Sequence, residues 1–157
     1  MESSTLAFEE MDPAAPEAAG LIAALDRDLE ARYPGLPIHG IDASNFRATG
    51  GVFLVGRFTG AAVACGALRP MEAGAVEIKR MYVRDAYRSR GFGRAMLRAL
   101  EQIAARRGYR RIRLETGGGQ PEAIALYESA GYRPIRCYGE HADDPISRCF
   151  EKLLNPL

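Results

Sequence analysis

The stretch Arg88-Ser89-Arg90-Gly91-Phe92-Gly93-Arg94-Ala95 follows an apolar segment at residues 75–83 and opens a run with helical periodicity. In that run Phe92, Met96, Leu100 and Ile103 share one face, while Arg94, Arg98, Glu101 and Arg106 lie elsewhere. A helix start leaves backbone N–H groups free and carries partial positive charge, and glycine lets a phosphate approach those groups closely. Arg88, Arg90 and Arg94 add fixed cationic donors suited to phosphate. The segment therefore predicts an anion site at a strand–loop–helix junction; a glycine-rich turn with solvated arginines is the plainer alternative. A phosphate loop would need a Gly-Lys-Ser/Thr ending, and no lysine follows these glycines. A dinucleotide fingerprint needs a third small residue where Met96 stands, and a glycine directly after the strand rather than beyond residues 84–90.

Working outward, a first strand is expected at residues 5–10. A helix is expected from Pro13 to about Tyr33, with Leu21, Leu25 and Leu29 on one face. Tyr33-Pro34-Gly35-Leu36-Pro37 stops it, and residues 39–50 read as a loop with room for one helical turn. Residues 51–58 and 61–69 flank Thr59-Gly60, a tight hairpin signal, and residues 71–74 turn the chain into a strand at 75–83. A helix at 91–107 follows, ended by Gly108. A short strand at 111–115, a flexible break at 117–119, and a helix at 121–130 capped by Gly131 come next. Closing strands are expected at 132–138 and 147–153, separated by Asp143-Asp144-Pro145. The order β-α-β-β-β-α-β-α-β-β implies an α/β fold with a mixed sheet and helices on its faces, in one domain spanning residues 1–157.

Composition narrows the class. With 47% hydrophobic and 26% charged residues the chain reads as an ordinary globular protein. It has no apolar run long enough to span a membrane, and its acidic first residues do not read as a secretory leader. A cytoplasmic location is expected. Cys65, Cys137 and Cys149 form no C-x-x-C pair, and His39 and His141 are the only histidines, so neither a disulfide framework nor a zinc site is expected. Three buried thiols in a reducing compartment are expected instead. The net charge of +1 conceals eight acids against two arginines in residues 1–35, and eleven arginines against two acids in residues 80–113. That asymmetry points to a local anion site rather than a nucleic-acid surface.

The residues at 88–95 resemble the acetyl-CoA signature R/Q-x-x-G-x-G/A of the GNAT superfamily of N-acetyltransferases. Further segments match in order: Val76-Glu77-Ile78-Lys79-Arg80-Met81-Tyr82-Val83 is similar to that family's fourth strand, and Leu114-Glu115-Thr116 to its fifth. Ala123-Ile124-Ala125-Leu126-Tyr127-Glu128-Ser129-Ala130-Gly131-Tyr132 resembles its A-x-x-L-Y-x-x-x-G-F/Y motif. The resemblance covers roughly residues 50–153. It implies a mostly antiparallel sheet splayed between strands 4 and 5, with acetyl-CoA in the cleft and no metal. It also implies cofactor contacts from Met81, Tyr82 and Val83, from Arg88, Ser89, Arg90, Gly91, Phe92, Gly93, Arg94 and Ala95, and from Ala123 and Tyr127. Where the family commonly has asparagine, seven residues before the tyrosine, Gln120 stands; the cofactor role is carried to it with altered reach.

Transfer of an acyl group from a thioester to an amine needs orientation, a polarised carbonyl, a free amine and a proton for the departing thiolate. The resemblance places pantetheine along the backbone of Met81 and Val83 as an added strand. It also offers Tyr127 as general acid, against the alternative of a packed helix aromatic. Glu77 is the candidate base, through water, with Glu115 as substitute; the alternative is a surface glutamate paired with Lys79 or Arg57. Arg80, ahead of Arg69, is the candidate for holding an acceptor carboxylate. His39 and His141 read as loop residues, and residues 138–147 are expected to line the acceptor pocket. The expected partner is a small-molecule amine, with no nucleic acid or membrane, and with a homodimer left open. A peptide or protein amine, a non-catalytic acyl-CoA sensor and an arginine-rich nucleic-acid module are the competing readings.

Overall fold

A computed structural model describes residues 5–36, 42–72 and 74–155. Its seven strands are β1 (Ala7–Glu10), β2 (Val52–Phe58), β3 (Ala61–Pro70), β4 (Ala75–Val83), β5 (Arg111–Gly117), β6 (Arg133–Ile135) and β7 (Ser147–Leu153). They form one sheet in the order β1-β2-β3-β4-β5-β7-β6. Every neighbouring pair is antiparallel except β4 and β5. Among the described residues there are four α-helices: α1 (Pro16–Arg32), α2 (Ala43–Ala48), α3 (Phe92–Arg106) and α4 (Pro121–Ser129). None of the described helices is long and apolar enough to cross a membrane.

The apolar run at the start of β2 is buried on both faces because helices cover both. Strand alternation sends Val52 and Leu54 toward α3, where they join Leu68, Ile78, Ile112 and Leu114. Phe53 and Val55 point the other way and pack with Cys65, Ala18 and Leu21 of α1, and Phe46 of α2. On α3, Phe92, Met96, Leu97 and Leu100 are buried; each such side chain contributes about 1.5–3 kcal/mol over its exposed state. Thr59 and Gly60, with φ of 49° and 88°, form the β2–β3 turn, whose left-handed residues match the twist of the hairpin.

The start of the first helix moved for a local reason, and the helical turn allowed for in residues 39–50 is present. Pro13 does not open α1: Asp12 accepts the N–H of Ala14 through its side chain and that of Ala15 through its carbonyl, closing a turn first. Pro16 then takes the first helical position. The helical turn inside residues 39–50 is α2, capped by the Asp42 carboxylate on the N–H of Asn45 at 2.8 Å. His39 lies outside the described residues.

The expectation for the cysteines is corrected. Cys137 and Cys149 form a disulfide, and only Cys65 is a buried free thiol. In the sheet Cys149 opposes Ile135, two residues from Cys137, a proximity that spacing along the chain could not reveal. Strand β6 accordingly stops at Ile135 instead of running to Tyr138, and the chain leaves the sheet for a 3₁₀ turn at Gly139–His141.

Parallel pairing of β4 with β5 runs from Ala75 to Ile78 and stops. Beyond it the two strands diverge, and Lys79 to Val83 keep only their β3 neighbour. Register shifts within this part of β4: Lys79 faces Ala67 while Tyr82 faces Cys65, so β4 carries one extra residue. Arg80 sits in it with φ of 58°, and its carbonyl accepts the Cys65 thiol at 3.2 Å. The bulge reverses the alternation. Val76 and Ile78 face α3 before it, and Met81 and Val83 do so after it.

Candidate active site

The divergence of β4 and β5 opens a groove of about 1000 Å³, bounded by the end of β4, the start of α3 and helix α4. Met81, Tyr82 and Val83 form its β4 wall. Arg88, Ser89, Gly91, Phe92, Gly93 and Arg94 form its end. Gly91 has φ of 81°, a left-handed value that a side chain would strain, and it turns the chain so that the first N–H groups of α3 are left free. A Cβ on Gly93 would come within 3.3 Å of Leu126, so glycine keeps α3 and α4 close. Arg88 is held in place: its Nε donates to the Val83 carbonyl at 3.0 Å, and its guanidinium stacks on Tyr82.

Two of the expected contacts fall elsewhere. Arg90 stacks over Phe58 and Tyr87, and Ala95 packs against the core on the next turn of α3. Neither lines the groove. Ala123 and Gln120 do. Gln120 folds back into its own loop, its Oε1 accepting from Thr116 Oγ1 at 3.2 Å and from the Gly117 N–H at 3.4 Å.

Beside the groove lies an inner cavity of about 310 Å³. Leu25, Met81, Gln120 and Tyr127 line both spaces, so they mark where groove and cavity meet. Leu25 and Leu29 of helix α1, with Tyr33 just past its end, supply an apolar wall. The segment after β6 supplies His141, Asp144, Pro145 and Ile146. Tyr33, read from sequence only as part of a helix stop, bridges α1 to the β5–α4 loop: its hydroxyl accepts the Gly119 N–H at 3.1 Å and donates to Gln120 Oε1 at 3.4 Å. Gly117 makes room for it, since a Cβ there would lie 2.0 Å from the hydroxyl.

Tyr127 is buried, with its ring against Tyr132 and Phe150. Burial, and secondarily the Glu115 charge, push its phenol up to about 12, so it carries its proton at neutral pH. Arg80 also lines the cavity, but its guanidinium pairs with Asp26 and reaches the Ile22 carbonyl of α1. Its charge is already balanced, and it ties the bulge to α1.

Glu77 is 1% exposed on the cavity side of β4. Arg69 Nη2 donates to its Oε1 at 2.6 Å and the Tyr138 hydroxyl to its Oε2 at 2.9 Å. Burial pushes this carboxyl upward. His141, Lys79, Arg69 and Tyr138 together outweigh burial and bring it to about 2. His141, expected as a loop residue of the segment lining the acceptor pocket rather than as a catalyst, is 2% exposed at the centre of this cluster. Its Nε2 lies 3.7 Å from Glu77 Oε2 and 3.7 Å from Glu140 Oε1, and its Nδ1 lies 3.9 Å from Glu115 Oε2. Ser147 donates to that Glu115 oxygen at 2.6 Å, and Lys79 pairs with Glu140 at 3.3 Å.

The sheet thus opens beside its parallel pair, with a glycine-led helix start at one end of the opening and a buried phenol where groove and cavity meet. Residues 18–132 match the model of the Acetyltransferase (GNAT) family. An IAA acetyltransferase of Azospirillum brasilense is 36% identical over 155 residues, covering 98% of this chain and all of that protein. A Klebsiella pneumoniae structure assigned to the acyl-CoA N-acyltransferases is 34% identical, covering 97% of this chain and 99% of that one, with a TM-score of 0.81. A GNAT acetyltransferase of Elizabethkingia anophelis with acetyl-CoA bound shares the fold at a TM-score of 0.70 and 17% identity, covering 97% of this chain and 100% of that one. The chain belongs to the GNAT acetyltransferase family and is an acyltransferase.

Proposed function

We propose that the protein moves the acetyl group of acetyl-CoA to the amine of a small metabolite or amino acid, by direct attack in a ternary complex. The observation that carries this reading is the junction of groove and cavity at Met81 and Tyr127. A thioester delivered along the open backbone of β4 ends there, and a cavity of about 310 Å³ suits an acceptor of metabolite size better than a folded protein. Free N–H groups at the start of α3, with Arg88 and Arg94, suit the cofactor pyrophosphate. Tyr127 supplies the proton for the departing thiolate.

Glu77 fits a fixed anion better than a base. A carboxylate held near 2, with both oxygens engaged, has little tendency to take a proton, but it attracts an ammonium group into the cavity. The apolar wall of α1 favours an acceptor whose amine sits on an apolar body.

The test is thiol release from acetyl-CoA with a panel of amino acids, phenethylamine, polyamines, aminoglycosides and peptides. IAA, the compound in the name of the Azospirillum relative, belongs in the same panel. Release with a small amine and not with peptides is expected. Release with peptides alone would replace the acceptor class, and release with none of them would favour an acyl-CoA sensor.

A further inference from the structure

We propose that His141 is a catalytic residue, the group that takes the proton from the acceptor's ammonium, and that Glu77 and Glu115 are the positioning residues that hold its ring. The inference rests on the amine-acetylation reading above and assigns the one proton step that reading leaves open.

The placement of the ring carries it. His141 lines the cavity that meets the thioester position, yet it is almost fully buried, so its orientation is set by the protein rather than by solvent. Carboxylates lie on both sides, Glu77 of β4 facing Nε2 and Glu115 of β5 facing Nδ1. The Tyr138 ring meets the imidazole edge-on with centroids 5.7 Å apart, and the same tyrosine holds Glu77 through its hydroxyl. Behind each carboxylate stands a further donor, Arg69 of β3 for Glu77 and Ser147 of β7 for Glu115. Such a chain of supports is what fixes a general base in one geometry.

The charges facing the ring come from every neighbouring element. Glu77 and Lys79 lie on β4, Glu115 on β5 and Glu140 beside the histidine itself, and Arg113 stacks on Tyr138. Burial disfavours the imidazolium, and Lys79 acts in the same sense. The two carboxylates Glu77 and Glu115 outweigh both, leaving the histidine above its ordinary value of 6.5. So raised, the imidazole holds a proton more readily than Glu77, which is held near 2.

The step balances. The acceptor ammonium gives one proton to His141, and the freed nitrogen lone pair forms the N–C bond at the thioester carbonyl carbon. The C–S bond breaks as sulfur takes the Tyr127 proton. The second proton of the amine nitrogen replaces the one Tyr127 gave, and His141 releases its proton to solvent.

With two histidines in the chain, side-chain NMR of the native protein can follow each imidazole, the His141→Asn variant assigning the signals. Native protein is expected to show one histidine titrating above 6.5, which moves down in Glu77→Gln. Thiol release with phenethylamine, or with whichever panel amine is turned over fastest, is then followed against pH. The acidic limb of kcat/KM is expected to coincide with that titration, to persist in Glu77→Gln at lower pH, and to vanish in His141→Asn. In His141→Asn, kcat/KM is expected to fall on the order of 10²–10³-fold while CoA still raises the Tm, and in His141→Ala free imidazole is expected to restore part of the rate. Loss of the limb in Glu77→Gln, with His141 still titrating, would make Glu77 the base and overturn the proposal. An unchanged limb in His141→Asn would do the same while leaving amine acetylation intact. Absence of thiol release by native protein with every amine would remove the parent reading and this one together.

Discussion

Replacing Glu77 by glutamine keeps the side-chain volume and removes the charge toward which Arg69, Lys79 and His141 are arranged. The native carboxyl is held at about 2, against 4.5 when unperturbed. That displacement corresponds to about 3 kcal/mol of folding stability at neutral pH. Because the folded value is depressed, the contribution is complete above 4.5 and disappears as pH falls through 2; at pH 3 about 1 kcal/mol remains. Urea unfolding of native protein and Glu77→Gln at pH 7 and pH 3 measures it. The expected gap in unfolding free energy is about 3 kcal/mol at pH 7, narrowing to about 1 kcal/mol at pH 3. The pH 7 gap corresponds to a Tm difference of roughly 6–12 °C for a chain of this size. A gap of the same size at both pH values, or one below about 1 kcal/mol at pH 7, would refute the view that this carboxylate is a paired interior anion.

Tyr127→Phe is expected to keep CoA binding, read as a Tm rise, and to lower turnover on the order of 10²-fold; unchanged turnover would remove its role as acid. Gly117→Ala places a Cβ where the Tyr33 hydroxyl stands and is expected to lower stability by about 1 kcal/mol. Tyr33→Ala in the same background should then cost less than it does alone, which thermal scans of the four proteins of the cycle would show. Cys137→Ser opens a loop with a sequence separation of 12 and is expected to lower stability by about 3 kcal/mol. Reducing agent should lower native protein to the same level and leave the variant unchanged.

Much of this structure was legible because its strongest signals are local. The limits of β4 and β7 and the glycine-led start of α3 follow from apolar runs and turn residues within a few positions of one another. The groove was legible through the residues around Gly91 and Gly93, whose backbone requirements are written in the sequence itself. Residues whose role depends on partners brought together by the sheet were not. His141 meets Glu77 and Glu115 only because β7 lies beside β5 and returns the preceding segment over the cavity. The polar character of residues 138–147 announced a surface with a task, but nothing in the segment distinguished His141 from its neighbours. Cys137 and Cys149 were separated by the same barrier, and Arg80 was read for its charge while Asp26, far off in sequence, had already balanced it.

The extra residue at Arg80 gives β4 two reading frames. Up to Lys79 the even-numbered side chains belong to the α3 face; from Met81 the odd-numbered ones do. A binary pattern of apolar and polar positions carried unbroken through the strand would be right for one half and inverted in the other. Deleting this single residue would restore a regular strand and, in the same stroke, turn the groove wall at Met81 and Val83 over to the opposite side of the sheet. One insertion thus lets a continuous strand belong to the α1-side cavity at its first half, and to the groove beside α3 at its second.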